Sequence, residues 1–134
     1  MSAVRRVTAA IVIRDGRVLI ARRAPGQKNA GMWEFPGGKV EAGETDERCL
    51  EREMFEEFGI TGRTLSHVAD SLYIYGAQGE GILLCAYVFA WQDGAFELRV
   101  HDEIRWADAR ELCEVGLTPA DIEIARKVGE TLLY

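Results

Sequence analysis

Three glutamates, Glu53, Glu56 and Glu57, lie close together in one short stretch of the chain. If that stretch is an α-helix with about 100° between successive residues, Glu57 lies about 40° to one side of Glu53 and Glu56 about 60° to the other. Hard divalent cations such as Mg²⁺ need convergent oxygen ligands of this kind. A solvated acidic face is the alternative, but like charges at these spacings repel, and along the helix only Arg52 is placed to pair with Glu56. The cluster therefore indicates a cation site.

The stretch has the features of a helix with defined ends. Thr45 is a suitable N-cap, acidic residues follow it in the first turn, and Gly59 can take the left-handed conformation that ends helices. We therefore predict a helix over residues 45–58, with the small side chain of Cys49 beneath the carboxylates leaving room for a ligand. Next to the acidic cluster runs an apolar stripe at helical spacing, formed by Leu50, Met54 and Phe58.

Strands and helices alternate around this helix. Two β-rich runs, 7–13 and 18–22, flank an Asp-Gly pair that favours a hairpin. Residues 25–33 are typical of a polar loop, and residues 34–41 of a short extended segment broken by glycines. Further strands are predicted at residues 64–75, 82–91 and 104–106. Further helices are predicted at residues 107–113 and 119–133. The mixture, without any linker, predicts one α+β (mixed α/β) domain over residues 1–134.

Composition narrows the classes of partner. The chain has 134 residues, 16 basic against 22 acidic, and a net charge of −6. This balance argues against a polymeric nucleic acid or an anionic membrane as partner, and an acidic protein acting on a phosphorylated small molecule indicates that a metal mediates the contact. The apolar stretches are too short to span a bilayer. Cys49, Cys85 and Cys113 form no metal or disulfide motif, which is typical of free thiols in the cytoplasm.

One segment resembles a known family motif. Gly38, Glu44 and the run Arg52-Glu53-Met54-Phe55-Glu56-Glu57-Phe58-Gly59-Ile60 match the Nudix box without a gap. The preceding run, residues 33–41, is similar to MutT-type and CTP-pyrophosphohydrolase-type members. The resemblance implies the Nudix fold, a mixed β-sheet between α-helices. It also implies hydrolysis of a phosphoanhydride bond in a nucleotide, for example a nucleoside triphosphate to its monophosphate and pyrophosphate.

The resemblance also implies roles for individual residues. Mg²⁺, or Mn²⁺, would be held by helix carboxylates and a main-chain carbonyl, from Glu53, Glu56, Glu57 and either Gly37 or Gly38. Arg52 would orient the carboxylates, and Glu44 would support it near the start of the helix. Glu53, or another carboxylate nearby, would take a proton from the attacking water.

The acid that many relatives carry in a late loop is missing here. Those relatives have Glu directly before a His that precedes a Trp, whereas this chain has Val100 before His101. Either Asp102 or Glu103 substitutes for the missing acid, or the helix carboxylates serve alone. His101 itself is expected to be a loop or structural residue rather than a catalyst.

Four residues are candidates for binding the substrate: Arg23, Phe35, Lys39 and Asp121. Phe35 would stack on a base, Asp121 would accept from a base N–H, and Arg23 would hold a phosphate or a base carbonyl. Their alternatives are a core aromatic, a helix-turn carboxylate and a surface charge. The resemblance leaves 8-oxo-dGTP, CTP and modified cytosine nucleotides as equal candidates, and homodimers are common among related folds. Hydrolysis of ADP-ribose or dinucleoside polyphosphates, and nucleotide binding without hydrolysis, are the competing functions.

Overall fold

The computed structural model describes residues 3–132. Its strands, in chain order, are β1 (Val4–Ile11), β2 (Ile13–Arg14), β3 (Arg17–Arg23), β4 (Trp33–Glu34), β5 (Thr61–Ile74), β6 (Gly81–Asp93) and β7 (His101–Ala107). Its helices are α1 (Asp46–Phe58), α2 (Ala109–Glu114) and α3 (Ile122–Leu132), and a 3₁₀ turn at Pro119–Asp121 precedes α3. Within this range, no helix is both long and apolar enough to cross a lipid bilayer.

The strands form two small sheets. In the first, β6 lies between β1, to which it is parallel, and β5, to which it is antiparallel. In the second, β3 pairs antiparallel with β2, β4 and β7. The predicted hairpin is present, and Asp15 and Gly16 at its tip both have positive φ, as tight two-residue hairpins require.

Alternating side chains divide the core between two sides of the sheets. On β1 and β3, Ala9 and Ile20 pack with α2 and α3, whereas Ala10 and Leu19 pack with α1. Successive residues of a strand point to opposite faces, so one strand supplies both cores. Helices therefore cover both faces of mixed sheets, which confirms the α+β class and the expected layering.

Helix α1 begins and ends where the sequence predicts. The Thr45 side chain accepts a hydrogen bond from the main-chain N–H of Arg48, at 3.2 Å, which satisfies a donor left free at the helix start. Gly59 has φ of 70° and closes the helix by donating to the Phe55 carbonyl. The face that is buried in the core includes Leu50, Met54 and Phe58, as predicted.

The other boundaries differ from the predicted ones by a few residues. Strands β5 and β6 are longer, because their pairing continues as a ladder to Thr61 and Asp93. Strand β7 starts at His101, so this residue lies in a strand and not in a loop. Helix α2 starts at Ala109 and not at 107, because Asp108 and Glu111 form a capping box. The last helix is divided into the 3₁₀ turn and α3, and residue 133 lies outside the described residues.

A buried carboxylate joins β1, α1 and β6. Asp46 accepts two hydrogen bonds from the Arg6 guanidinium, at 2.7 and 2.6 Å, and one from the Tyr87 hydroxyl, at 2.6 Å. The Arg6 hydrogen bonds outweigh desolvation and hold the pKa of Asp46 below its usual range. The ion pair therefore ties the start of α1 to the sheet behind it.

We expect Asp46→Asn to lower the free energy of unfolding by about 2 kcal/mol, because Arg6 loses its charged partner. A carboxyl group whose folded pKa is depressed stabilises the fold above its ordinary pKa and loses that effect as the pH falls through the folded value. The difference between wild type and variant should therefore shrink in acid. Urea unfolding from neutral to acidic pH measures this, with the exposed Glu47→Gln as control. A difference that is constant with pH would contradict the assignment.

Candidate functional site

A cleft of about 930 Å³ opens beside the first sheet. Its walls come from β1, β5 and β6, from α1, from the segment 34–41 and from the 3₁₀ turn before α3. Carboxylates of α1 and Asp121 both line it. The residues that surround these acids decide what the cleft can bind.

Two of the three clustered carboxylates face the cleft. The side chains of Glu53 and Glu57 line it, whereas Glu56 is 55% exposed and hydrogen bonds to Arg52 at 3.1 Å. Across residues 3–132, no group of three His, Cys, Asp or Glu side chains is arranged to hold a metal. The predicted convergence is therefore present for Glu53 and Glu57 but not for Glu56, because Arg52 draws Glu56 towards the solvent.

Glu57 is a partly buried acid whose ionised form is favoured only by the Gly37 N–H and by the charge of Arg23. Burial raises its pKa to about 8, and the charges of Glu53 and Glu34 add to this effect. Over the described part of the chain, its buried Oε1 atom has no hydrogen-bond partner. Burial is also the main cause that raises the pKa of Glu53. An uncompensated oxygen among like charges fits the donor set that a hard divalent cation would complete.

The glycine pair lies against both β1 and α1. The run from Pro36 to Gly38 follows β1, with Thr8 N–H donating to the Gly38 carbonyl at 2.8 Å and Ala10 N–H to the Pro36 carbonyl at 2.7 Å. A Cβ at Gly37 would lie 2.0 Å from the Thr8 carbonyl oxygen, and one at Gly38 would lie 2.3 Å from Cδ of Glu53. Glycine is therefore needed at both positions because of close approach.

The carbonyl of Gly38 is already occupied. It accepts from the Thr8 main chain and hydroxyl, and the Cys49 thiol lies 3.5 Å away. It points into this buried group and not towards a cation, which leaves the Gly37 carbonyl as the main-chain candidate. The Cys49 side chain fills the space that we expected it to leave for a ligand, and burial raises its pKa to about 11.

Arg52 links the acids around the helix. It donates to both oxygens of Glu44, at 2.7 and 3.0 Å, to Glu53 at 2.8 Å, and to the Lys39 carbonyl at 3.1 Å. The Arg52 hydrogen bonds are the largest cause that lowers the pKa of Glu44 to about 2. The structure therefore brings together Arg52 and Glu53 of α1 and Glu44 of the preceding loop, as the resemblance implies.

Asp121 is a buried carboxylate in the cleft wall. It accepts from the main-chain N–H of Phe35 at 3.1 Å and from the Thr118 hydroxyl. Burial, followed by the charge of Glu34, raises its pKa to about 7. Phe35 is only 3% exposed and packs in the core with α3, so the predicted stacking of its ring on a base is not available in this structure.

The two basic candidates also line the cleft. Lys39 follows the glycine pair, and Arg23 ends β3 and donates to Glu34 at 2.9 Å. The alternative that Arg23 is only a surface charge does not hold, because it lies in the cleft wall. Glu34, which we did not single out in the sequence, occupies the cleft between Glu57 and Asp121. The sequence signal that could have identified Glu34 as a site residue is its position directly before the Phe-Pro-Gly-Gly run.

The suggested substitutes for the missing loop acid lie elsewhere. Asp102 accepts from Arg22 at 2.7 Å, and Glu103 pairs with the same guanidinium at 3.3 Å. Because neighbouring residues of a strand alternate in direction, Arg22 and Arg23 reach different partners. Neither Asp102 nor Glu103 lines the cleft, whose acidic residues are Glu34, Glu41, Glu53, Glu57 and Asp121. Of the two alternatives for the missing acid, the helix carboxylates are therefore the ones that lie in the cleft.

Two curated bacterial proteins are similar to this chain over most of its length. The CTP pyrophosphohydrolase of Escherichia coli is 36% identical over 118 residues, which cover 88% of this chain and 86% of that protein. The putative 8-oxo-dGTP diphosphatase 2 of Mycobacterium tuberculosis is 37% identical over 118 residues, which cover 86% of this chain and 81% of that protein. Because each alignment covers more than four fifths of this chain, both include the glycine pair and α1.

A solved structure and a family model agree with these similarities. The crystal structure of a MutT NUDIX hydrolase from Burkholderia pseudomallei superposes with a TM-score of 0.78 at 32% identity, covering 91% of this chain and 95% of that one. The family model described as the NUDIX domain matches residues 4–130. Together with the carboxylates and glycines of the cleft, these matches show that the chain belongs to the NUDIX domain family.

Proposed function

We propose that this chain is a nucleotide pyrophosphohydrolase that converts a nucleoside triphosphate to a monophosphate and pyrophosphate. The observation that carries the proposal is the pair of partly buried carboxylates, Glu53 and Glu57, beside the Gly37-Gly38 bend in a cleft of nucleotide size. The relatives named for CTP and for 8-oxo-dGTP support this class of substrate. We assign CTP, a modified cytosine nucleotide and 8-oxo-dGTP as the substrates to test.

Nudix hydrolases generally use a divalent metal ion. We assign Mg²⁺ here, with Mn²⁺ as its substitute, to the cleft carboxylates Glu53 and Glu57 and to the Gly37 carbonyl. Glu56 would join them only by leaving Arg52 and turning towards the cleft. When bound, the ion neutralises phosphate charge and lowers the pKa of water. Glu57, whose buried Oε1 lacks a partner, would gain most from it.

We assign the proton transfer and the contacts with the substrate to side chains of the cleft. Glu53 accepts the proton of the attacking water, and the α–β phosphoanhydride P–O bond breaks as the new P–O bond forms. Arg52 keeps the carboxylate of Glu53 oriented through its hydrogen bond at 2.8 Å. Lys39 faces the phosphates and Asp121 faces the base, where its position beside the Phe35 N–H fixes its orientation. Asp121 itself is only 5% exposed, so little water competes with the base for its carboxylate.

Release of pyrophosphate with Mg²⁺, measured across common, 8-oxo and methylated nucleoside triphosphates, tests the proposal. Turnover of at least one triphosphate, lost in Glu53→Gln with the fold retained, is the expected result. Tight binding without turnover would show a nucleotide-binding domain. Turnover of ADP-ribose or of a dinucleoside polyphosphate, with none of any triphosphate, would assign a different Nudix reaction. We place the reaction in the cytoplasm, since Cys49, Cys85 and Cys113 are all unpaired.

The two glycines of the bend should respond differently to alanine. In Gly37→Ala, the new Cβ would meet the Thr8 main chain, which cannot move without disturbing β1, so we expect a loss of stability of about 3 kcal/mol or more. In Gly38→Ala, it would meet the flexible Glu53 carboxylate, so the fold should persist while turnover falls about a hundredfold.

Thermal unfolding and pyrophosphate release measure these two effects in parallel. Gly116→Ala is the matched control, because a Cβ at that position would meet nothing within 4 Å. Equal losses of stability in Gly37→Ala and Gly38→Ala would mean that the bend serves only the fold.

A further inference from the structure

His101 is buried at the start of β7, directly behind the cleft. Its side chain is only 1% exposed, and its ring stacks on the ring of Phe58, with centroids 5.3 Å apart and planes 7° apart. Its Nε2 atom lies 2.8 Å from Oε2 of Glu34. The histidine thus connects the residue that follows Glu57 on α1 with an acid of the cleft wall.

The surroundings of the ring determine which nitrogen carries the proton. Glu34 takes a hydrogen bond at Nε2, whereas Nδ1 is buried and has no hydrogen-bond partner among the residues that the structure describes. A proton on Nδ1 would be a buried donor without an acceptor, which is costly. Nε2 is therefore the nitrogen that donates, and His101 is a fixed donor to Glu34.

Glu34, whose Oε2 atom is held by His101, also binds Arg23. Its other oxygen, Oε1, accepts from Arg23 Nη1 at 2.9 Å, and Arg23 Nε donates to the Lys28 carbonyl at 2.5 Å. Two of the five N–H groups of the guanidinium are thus held on the protein side. Since Arg23 lines the cleft, the others are free to meet an oxygen atom of a ligand.

We propose that His101 is a positioning residue that acts through Glu34 to hold the Arg23 guanidinium in the wall of the cleft. Arg23 then meets a carbonyl or phosphate oxygen of the nucleotide with its geometry already set, which lowers the entropy cost of binding. The inference rests on the proposed function for its substrate, but the chain of contacts from His101 to Arg23 stands on its own. A purely structural role, in which the ring only fills space beside Phe58, is the alternative that the test must exclude.

Variants of His101 separate the hydrogen bond from the stacking. His101→Phe keeps the aromatic contact with Phe58 and removes the donor, whereas His101→Gln keeps an N–H donor of similar reach. We expect His101→Phe to raise KM about tenfold with kcat changed less than about twofold, and His101→Gln to recover most of the loss. His67→Phe is the matched control, since His67 also lies 2.7 Å from an aspartate oxygen but is exposed. It should leave both constants unchanged.

The same substitution in an Arg23→Gln variant tests whether the change of KM in His101→Phe depends on Arg23. In Arg23→Gln, adding His101→Phe should change KM by less than about twofold, because the residue that His101 positions is gone. An equal increase of KM in both backgrounds, or a failure of His101→Gln to recover it, would overturn the proposal. If His101→Phe does not fold, His101→Met against His101→Gln makes the same comparison.

Nuclear magnetic resonance gives a readout that does not need turnover. The Nε–H signal of Arg23 should exchange with water at least about tenfold faster in His101→Phe than in wild type, and at nearly the wild-type rate in His101→Gln. Unchanged exchange would overturn the positioning role. If the wild type hydrolyses no triphosphate but the exchange rates follow this order, the proposed function fails and the positioning role stands.

Discussion

Glu57→Gln is expected to reduce kcat/KM with Mg²⁺ at least about a thousandfold and, in the same protein, to make the metal-free fold more stable. The first effect follows because one of the two cleft carboxylates assigned to the ion loses its charge. The second follows because Glu57 is desolvated beside Glu53 and Glu34, and the Gly37 N–H and the charge of Arg23 offset this only in part. Removing that charge should raise the free energy of unfolding by about 1–3 kcal/mol near pH 8.

The dependence of this gain on pH has a definite sign. The folded pKa of Glu57 is about 8, above the ordinary value of 4.5. The folded protein therefore binds a proton that the unfolded chain releases, and the stability of the metal-free wild type falls as the pH rises from 4.5 towards 8. Glu57→Gln lacks this titration, so the gain should be small near pH 4.5 and largest near pH 8.

Urea unfolding without metal, repeated with Mg²⁺, measures both effects. Added Mg²⁺ should stabilise the wild type but not Glu57→Gln, so the order of stability should reverse. Glu47→Gln, in the exposed first turn of the same helix, should change neither quantity. A variant that loses turnover while its metal-free stability falls would show that Glu57 supports the fold and not an ion.

Helix α1 could be predicted almost completely from the sequence, because its determinants are local. The Thr45 cap, the Gly59 terminus and the apolar stripe act within one or two turns, and each lies where predicted. The neighbourhood of Glu53 and Glu57 follows from the same helical periodicity. Solvent exposure of Glu56 does not, since it depends on how Arg52 is shared between acids from the helix and from the loop before it.

The rest of the site depends on contacts between distant parts of the chain. Phe35 packs in the core because α3 covers it, and the Gly38 carbonyl is occupied because β1 runs beside it. Glu34 enters the cleft through its partners on β3 and β7. Local sequence patterns describe single elements and carry no information about which pairs of elements meet. Phe35 and Gly38 could therefore be named as candidates but not assigned surroundings, and Glu34 was not named at all.

Arg52→Lys should lower kcat/KM about 10- to 100-fold, although the charge is kept. The guanidinium of Arg52 spans two acids at once, with both oxygens of Glu44 on one side and Glu53 on the other. A lysine ammonium is a compact charge and cannot make the paired hydrogen bonds to Glu44 while also reaching Glu53. Without that bridge, Glu53 keeps its charge but loses its fixed direction beside Gly38.

The loss should appear in the affinity for the ion as well as in turnover, because the misdirected carboxylate is one that we assign to the ion. Titration with Mn²⁺ and pyrophosphate release measure the two quantities. Arg110→Lys, an exposed helical arginine that pairs with Glu114, is the matched control and should behave as wild type. Full turnover and full Mn²⁺ affinity in Arg52→Lys would mean that charge alone suffices at this position, and the orienting role of the guanidinium would be refuted.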